Sequence, residues 1–250
     1  MRHFGLIGYP LSHSFSAEYF TNKFRKEKIA ETMYRPYELS SIELLPLLLS
    51  NIPFEGLNVT LPFKEIIIPM LDEIDDTAVA TGAVNVIKIK HENGKNILHG
   101  YNTDVIGFER SIRPHLSSYH KSALILGTGG ASKAAAYILG MYHIPFKFVS
   151  REKQGENIMT YADLTQESIT DNLIIINATP VGMVPGDTAK PDIPYQFLTD
   201  KHLLYDMVYN PPITEFMNEG RKYGADTISG LKMFFLQAEW AWRIWNDGRC

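Results

Sequence analysis

The chain has 250 residues, of which 45% are hydrophobic, and it carries a formal net charge of −4 with a pI near 6.1. Its length suits one large domain or two small ones, and its acidic balance argues against a nucleic-acid-binding protein. Because no apolar run approaches a membrane span and Gly8, Tyr9 and Pro10 interrupt any signal-peptide core, we expect a cytoplasmic protein without membrane contact.

Residues 1–102 alternate short strands with helical segments. Strands are predicted at 3–8, 34–38 and 56–60, and helices at 17–27 and 42–50. An alternating stretch at 84–90, the turn HENG at 91–94 and a run at 97–100 predict a hairpin. This part of the chain therefore predicts an α/β domain.

From residue 103 the pattern changes. A linking helix is predicted at 103–116, followed by short buried strands at 123–126, 146–150, 173–177 and 203–206. Helix-length segments separate these strands, which is typical of a doubly wound parallel sheet. We expect an α/β protein of two domains, 1–102 plus 231–250 and a Rossmann-like 103–230, with the C-terminal helix returning to the first domain.

Cysteine and histidine usage bears on redox compartment and metal binding. The single cysteine, Cys250, cannot form an intramolecular disulfide, which fits a reducing compartment. The eight histidines show no paired ligand spacing, since His115 and His120 do not share a helix face well. We predict no metal site.

The segment 58–64 (NVTLPFK) reads as a strand end, a tight turn at Pro62 and the start of a helix that carries Lys64. Loops after strands are where α/β proteins place chemistry. A lysine there donates a proton to a carbonyl oxygen, or takes one from an alcohol when neutral. A surface lysine that opens a helix is the alternative.

Two further signals follow in chain order. Asp104 stands at a predicted strand-to-helix junction, where it is either a functional carboxylate or a favourable charge in a first helical turn. The segment 124–130 (LILGTGG) is a buried strand that runs into a glycine-rich turn. Gly127 permits the turn, and Gly129 lets a pyrophosphate approach the helix that follows, although Ser132 occupies the third position of the fingerprint. Lysine, aspartate and this turn, in this order, indicate a soluble dehydrogenase.

Cofactor preference is expected at the end of the next strand, where Ser150 and Arg151 stand. An arginine there suits the 2′-phosphate of NADP, whereas an acidic residue suits the ribose of NAD. Glu152 opposes a phosphate and Lys153 offsets it, and an exposed loop of mixed charge is the alternative. The sequence favours NADP.

Taken together, the motifs resemble those of the shikimate dehydrogenases. They stand at 8–16 (GYPLSHSFS), 58–64, 83–85 (AVN), 102–104 (NTD), 127–131 (GTGGA), 177–179 (NAT), 206–209 (DMVY) and 230–233 (GLKM), with Gln237 beyond them. The resemblance implies an NADPH-dependent, reversible reduction of 3-dehydroshikimate to shikimate in aromatic amino-acid biosynthesis. It also implies that 1–102 plus 231–250 binds the substrate and that 103–230 binds the dinucleotide.

The resemblance assigns residues to both ligands. Lys64 and Asp104 would be the catalytic pair. The substrate would be held by Ser14, Ser16, Thr60, Lys64, Asn85, Asp104, Tyr209 and Gln237. The cofactor would be held by Gly127, Thr128, Gly129, Gly130, Ala131, Ser150, Arg151, Lys153, Ala178, Thr179, Met207 and Gly230. Members that use NADP often show Asn and Thr around the arginine, so Ser150 and Glu152 leave the cofactor preference open.

The polar residues of this set suit a polyhydroxy carboxylate. Ser14 and Ser16, two apart on an extended segment, point the same way and suit one carboxylate, with helix capping as the alternative. For Asn85 the alternative is an asparagine that only satisfies the hydrogen bonds of a turn, and for Thr60 it is an ordinary threonine at a strand end.

Gln237 stands in a predicted helix at 231–245. Its same-face neighbours are Met233, Phe234, Ala241 and Ile244. An amide on such an apolar stripe needs a partner, either a backbone carbonyl or a substrate hydroxyl.

Two other functions stay open at this point. One is a quinate/shikimate dehydrogenase that uses NAD, and the other is a dinucleotide-binding regulatory protein without turnover. In each case we expect a small-molecule ligand, no nucleic acid and no membrane, and a monomer or homodimer.

Overall fold

A computed structural model describes residues 1–11, 14–152, 155, 157–184 and 189–247. The chain forms two compact units. Unit 1 comprises Met1–Thr103 with Ala238–Cys250, and unit 2 comprises Asp104–Gln237. The first part of the C-terminal helix therefore falls in unit 2, whereas the sequence predicted the whole helix in the first domain.

Unit 1 is an α/β unit with one mixed sheet. Its strands are β1 (Arg2–Gly8), β2 (Thr32–Glu38), β3 (Phe54–Val59), β4 (Glu73–Ile74), β5 (Val86–Glu92) and β6 (Lys95–Tyr101). Its helices are α1 (Ser16–Lys26), α2 (Leu45–Asn51), α3 (Phe63–Ile66) and α4 (Asp76–Thr81). The strand order is β2-β1-β3-β5-β6-β4. The predicted hairpin is confirmed as β5 and β6, which pair antiparallel.

One edge of this sheet gathers several strand ends. β1 and β3 are parallel and β5 is antiparallel to both β3 and β6, so the ends of β1, β3 and β6 meet the start of β5. Backbone hydrogen bonds join them, from Thr60 to Ile7, from Val59 to Asn85 and from Asn85 to Tyr101. We call residues 60–64, 85 and 102–103, which leave the sheet here, the polar edge.

Both faces of the unit 1 sheet are buried. Successive strand residues such as Leu6 and Ile7 belong to different hydrophobic clusters, as expected when side chains alternate across a strand. One cluster contains aromatic residues of β1 and α1 together with Ala238, Ala241, Ile244 and Trp245 of the C-terminal helix. Trp245 donates its indole N–H to the Ile87 carbonyl at 3.0 Å. The second half of that helix is thus part of the unit 1 core.

Unit 2 is built on a parallel sheet. Its strands are β7 (Ala123–Leu126), β8 (Phe146–Ser150), β9 (Ile158–Thr160), β10 (Ile174–Asn177), β11 (Leu203–Asp206) and β12 (Asp226–Ser229). Its helices are α5 (Asp104–Ile112), α6 (Gly130–Met141), α7 (Gln166–Asp171) and α8 (Glu215–Lys222), and α9 (Leu231–Asp247) begins here. Ala123 and Ile125 pack on one face and Leu124 and Leu126 on the other. The predicted doubly wound parallel sheet is confirmed.

The strand order of unit 2 is β12-β11-β10-β7-β8-β9, with every pair parallel. The order reverses beside β7, so β7 and β10 flank the switch point where doubly wound sheets bind ligands beyond their carboxyl ends. Among the described residues, no helix combines the length and the apolar character that crossing a bilayer requires.

Candidate active site

Thr60 and Lys64 lie just beyond the carboxyl end of β3, as the sequence predicts. The Thr60 N–H donates to the Ile7 carbonyl at 2.9 Å and its carbonyl accepts the Phe63 N–H at 2.9 Å, which forms the turn into α3. Lys64 is the second residue of that short helix, and its side chain is partly exposed. Its carbonyl accepts the Val84 N–H at 2.7 Å, so the lysine backbone is tied to the start of the hairpin.

Asn85 and Thr103 are bonded to each other at the polar edge. The Asn85 side-chain oxygen accepts the Thr103 backbone N–H at 2.7 Å, and its amide donates to the Thr103 hydroxyl at 3.0 Å. Both residues are buried. Thr103 was not among the predicted site residues, although it stands directly before Asp104 in the motif at 102–104. Asn85 therefore holds the backbone that leads into Asp104.

Asn58 supports the same edge from within β3. It is buried, it accepts a hydrogen bond from the Tyr34 hydroxyl at 2.7 Å and it donates to the Asn85 carbonyl at 3.3 Å. An apolar residue at this position would leave the Tyr34 hydroxyl without this partner, at a cost of about 1–3 kcal/mol. The amide of the NVTLPFK motif is thus a structural support for the site.

Asp104 opens α5 and is 5% exposed. The N-terminus of a helix favours a negative charge, so a buried carboxylate is tolerated there better than elsewhere in a helix. The predicted strand-to-helix junction at Asp104 is confirmed, and its role as a functional carboxylate stays a prediction.

The expected extended segment at Ser14 and Ser16 is wrong. Phe15 has helical dihedral angles (φ −78°, ψ −7°), and Ser16 is the first residue of α1. The Ser14 hydroxyl accepts the Ser16 backbone N–H at 3.2 Å, so it serves the start of the helix. The prediction assumed an extended backbone, on which residues two apart point the same way, but the local hydrogen bond of the serine favours the start of a helix instead. Both serines still follow the carboxyl end of β1.

The glycine-rich turn joins β7 to α6 at the switch point of unit 2. Gly127 has φ +100°, and an added Cβ there would lie 3.0 Å from Thr179 Cγ2 and 3.3 Å from the Ala178 carbonyl oxygen. Gly129 is different, because its φ of −78° suits any residue and a Cβ there would meet nothing within 4 Å. The fold requires glycine at 127 but not at 129. Open space above Gly129, at the start of a helix, fits the approach of a pyrophosphate.

Ser132 takes the place of the third glycine of the fingerprint. It is fully buried, and its hydroxyl donates to the Gly129 carbonyl at 2.5 Å. The hydroxyl is therefore satisfied inside the helix start, and the substitution leaves the turn intact. Gly130 is buried, whereas Thr128 is exposed and Ala131 is partly exposed beside it.

The residues expected to recognise the ribose phosphate follow β8, the strand next to β7. Ser150 ends β8, and Arg151 is exposed directly after it. Burial raises the pKa of Tyr161, and the nearby charge of Arg151 acts in the opposite direction. Lys153, the third predicted residue, lies outside the described residues.

The remaining predicted cofactor residues follow β10 and β11 or precede α9. Ala178 donates its N–H to the Leu126 carbonyl at 2.9 Å, and the Thr179 hydroxyl donates to Asn177 Oδ1 at 2.6 Å. A Cβ on Gly230 would stand 2.2 Å from the Met207 carbonyl oxygen, so glycine is required where α9 begins. All these residues gather at the carboxyl edge of the unit 2 sheet.

Tyr209 and Gln237 are the substrate residues predicted in unit 2. Tyr209 stacks on Phe234 of α9 with ring centroids 4.8 Å apart. Gln237 is partly exposed, and no hydrogen bond within the described part of unit 2 satisfies its side-chain amide. A Cβ on Gly107 would lie 3.2 Å from Gln237 Cβ, so α5 and α9 approach closely there. The backbone-carbonyl alternative for Gln237 finds no support in this unit.

Metal chemistry has no candidate ligands here: the described residues contain no group of three or more His, Cys, Asp or Glu side chains placed to hold an ion.

Known proteins are similar to this chain in sequence and structure over both units. Residues 6–87 match the family model for the shikimate dehydrogenase substrate binding domain. A shikimate dehydrogenase (NADP(+)) of Methanosphaera stadtmanae is 35% identical over 260 residues, covering 97% of this chain and 90% of the relative.

Solved structures give the same result. Shikimate dehydrogenase 1 from Peptoclostridium difficile is 36% identical with a TM-score of 0.87, covering 100% of this chain and 93% of that one. Shikimate 5-dehydrogenase from Thermus thermophilus, solved with NADP(H) and shikimate, is 28% identical with a TM-score of 0.82, covering 99% and 94%. With these motifs, this sheet order and this similarity along nearly its whole length, the chain belongs to the shikimate dehydrogenase family.

Proposed function

We propose that this protein catalyses the reversible, NADPH-dependent reduction of 3-dehydroshikimate to shikimate. The observation that carries the proposal is Gly129, a glycine that the fold does not need, at the helix start beside the switch point of a doubly wound sheet. The absence of a side chain at Gly129 would let a nucleotide phosphate approach the backbone. The polar edge of unit 1, with Lys64 and Thr60 beyond β3, supplies the groups for a hydroxylated substrate.

The residues of the turn would hold the dinucleotide through its phosphates. The pyrophosphate would lie against Gly129 and the N–H groups at the start of α6, and Thr128, Gly130 and Ala131 complete this cradle. Arg151 and Ser150 would receive the 2′-phosphate, with Lys153 as a further candidate. Arginine suits a phosphate because its planar guanidinium forms paired, charge-assisted hydrogen bonds. The bound cofactor supplies the hydride.

The substrate would be held mainly by hydroxyl, amide and carboxylate groups. Ser14 and Ser16 follow β1 and would serve the substrate carboxylate, and Thr60 would bind a ring hydroxyl. Asn85 would act through Thr103, which it bonds, by fixing the approach to Asp104. Tyr209 would contribute a hydroxyl and Gln237 an amide.

Lys64 would donate an ammonium proton to the carbonyl oxygen of 3-dehydroshikimate as the hydride reaches its carbonyl carbon. The carbon–oxygen double bond would become a single bond as a new C–H bond and a new O–H bond form, and the N–H bond that breaks would leave Lys64 neutral. In the reverse direction neutral Lys64 takes the hydroxyl proton back. Asp104, as a carboxylate, accepts a hydrogen bond from a substrate hydroxyl and fixes its orientation.

Replacement of Lys64 by Ala tests this role. Loss of a positioned proton donor is expected to lower kcat by about 100- to 10,000-fold. The measurement is steady-state kinetics with shikimate and NADP+, accompanied by the melting temperature. Lys90→Ala, an exposed lysine of β5, is the matched control and should keep wild-type kinetics. A Lys64→Ala enzyme that keeps more than a tenth of the wild-type kcat removes Lys64 from the mechanism.

We further propose that the protein works in the cytoplasm as a monomer or homodimer, with no nucleic-acid partner. The net charge of −4 supports the last point, because a phosphate backbone would be repelled rather than attracted. Light scattering after gel filtration measures the assembly, and a mass above that of two chains would contradict it.

A further inference from the structure

Asn177 and Asp206 end two neighbouring strands, β10 and β11, and they are register partners. Both are fully buried. Asn177 Oδ1 accepts the Thr179 N–H at 3.1 Å, and Asp206 Oδ1 accepts the Val208 N–H at 3.0 Å. A side chain that accepts the N–H two residues ahead fixes a turn. The loops that follow β10 and β11 therefore both leave the sheet in a shape set by these side chains.

The two turns are bonded to each other. The Asn177 amide donates to Asp206 Oδ1 at 2.9 Å and to the Val181 carbonyl at 3.1 Å. Every donor hydrogen of that amide is thus engaged, and its oxygen also accepts the Thr179 hydroxyl. A shift of either loop base requires a shift of the other.

Asp206 also reaches the far end of its own loop. Its Oδ2 accepts the hydroxyl of Thr214 at 2.5 Å, and Thr214 caps α8 by accepting the Met217 N–H at 3.4 Å. Burial raises the pKa of Asp206 to about 6, and its hydrogen bonds act in the opposite direction. At neutral pH the side chain is therefore mainly a carboxylate, and it accepts hydrogen bonds from both sides of the loop.

A second link joins the loops away from the sheet. The Val184 N–H donates to the Asn210 carbonyl at 2.8 Å, and the Asn210 amide donates back to the Val184 carbonyl at 2.6 Å. Loops 178–184 and 207–214 are consequently tied at their base through Asp206 and at this reciprocal pair.

We propose that Asp206 is a positioning residue, which holds loops 178–184 and 207–214 as one body against the cofactor and substrate. This inference rests on the proposed function, because these loops carry Ala178, Thr179, Met207 and Tyr209. Asp206 accepts hydrogen bonds from Val208 and Thr214 of loop 207–214 and from Asn177, whose side chain in turn bonds Thr179 and Val181 of loop 178–184. A buried carboxylate contributes little to the stability of the fold by itself, because an apolar residue usually stabilises a core more. Its use here is explained by loop geometry.

The test compares NADP+ affinity, measured by titration calorimetry without substrate, among Asp206→Ala, Asp206→Asn and the wild type. Asp206→Ala removes each of these hydrogen bonds, and we expect a Kd about 10- to 100-fold higher. Asp206→Asn keeps an oxygen for Val208 and Asn177 but loses the charge, and we expect a Kd about 3- to 10-fold higher. Shikimate kcat/KM should fall in the same order.

Tyr205→Phe is the matched control. Tyr205 precedes Asp206 in β11, is fully buried, and shares a 2.6 Å hydrogen bond with the Ser111 hydroxyl on the opposite face. Its loss should lower the melting temperature while leaving NADP+ affinity within about twofold of the wild type. A purely structural role for Asp206 would make the Asp206 variants behave like Tyr205→Phe.

Asp206 variants that fold and bind NADP+ as the wild type does would overturn this inference while leaving the proposed function intact. If Asp206→Ala does not fold, Asp206→Asn decides alone, and unchanged affinity counts against the inference. A wild type that neither binds NADP+ nor oxidises shikimate would overturn the proposed function and this inference together.

Discussion

Replacing Gly129 by Ala separates a role in binding from a role in folding. The added methyl group would stand in open space, with nothing within 4 Å, at a backbone conformation (φ −78°, ψ −176°) that alanine adopts freely. Alanine lowers the entropy of the unfolded chain, which stabilises by about 0.4–1 kcal/mol. As a helix N-cap it is poorer than glycine, by roughly 0.5–1 kcal/mol. These terms nearly cancel, so the melting temperature should change by no more than about 2–4 °C.

The cost to the nucleotide is larger. The methyl group occupies the space where the pyrophosphate would contact the start of α6, and a charge-assisted hydrogen bond lost there is worth about 1.5–3 kcal/mol. We therefore expect the Kd for NADP+ to rise by roughly 10- to 150-fold, measured by titration calorimetry.

Gly140→Ala is the control for this substitution. Gly140 lies near the end of the same helix, is exposed, and offers equal open space. Alanine there should stabilise the helix by about 0.5–1 kcal/mol without changing NADP+ affinity. If Gly129→Ala binds NADP+ as tightly as Gly140→Ala does, the turn after β7 is not the pyrophosphate site.

The remaining predictions concern selectivity, substrate binding and pH. Arg151→Ala should raise the KM for NADP+ and leave that for NAD+ nearly unchanged; equal effects on both would assign Arg151 to the fold or the shared adenosine. Gln237→Ala should lower shikimate kcat/KM by roughly 5- to 150-fold with little change in melting temperature, and the opposite result would make it a structural glutamine. Burial lowers the pKa of both His120 and His202 below the ordinary value of 6.5. The contribution of each neutral histidine to the free energy of unfolding is therefore full above pH 6.5, and it is lost as the pH falls through the lowered pKa of the folded state. His202→Asn, which keeps an acceptor for the Thr199 N–H, should flatten the decline in the free energy of unfolding below pH 6.5, and an unchanged slope would contradict this.

Much of the fold could be predicted because strand and helix signals were local. The buried strand at 123–126 and the glycines after it predict a parallel sheet with a glycine-rich turn of the dinucleotide-binding type. The short strands β4, β9 and β12 could not be predicted, since β4 and β9 have only two and three residues and β12 (Asp226–Ser229) has a single apolar residue, so these strands form only by pairing with a neighbour. Pairing is a tertiary effect that a single segment does not encode.

The site shows the same limit. Lys64, Asp104 and Gly129 stand where the sequence placed them, because each adjoins a strong strand or helix signal. The extended segment predicted at Ser14 and Ser16 was wrong, since the local hydrogen bond between these residues sets the backbone conformation there. The partner of Asn85 and the links of Asp206 join residues distant in sequence. An alternation pattern shows which face a side chain occupies, but it does not show which distant group lies opposite.

The most direct test of the proposed function is the initial rate of wild-type enzyme with shikimate and with quinate, each offered NADP+ and NAD+, followed by the absorbance of the reduced nicotinamide. We expect the highest kcat/KM with shikimate and NADP+. Phosphate recognition by Arg151 should favour NADP+ over NAD+ by about 10- to 150-fold. A higher kcat/KM with quinate and NAD+, or no turnover with any pair, would contradict the proposed function.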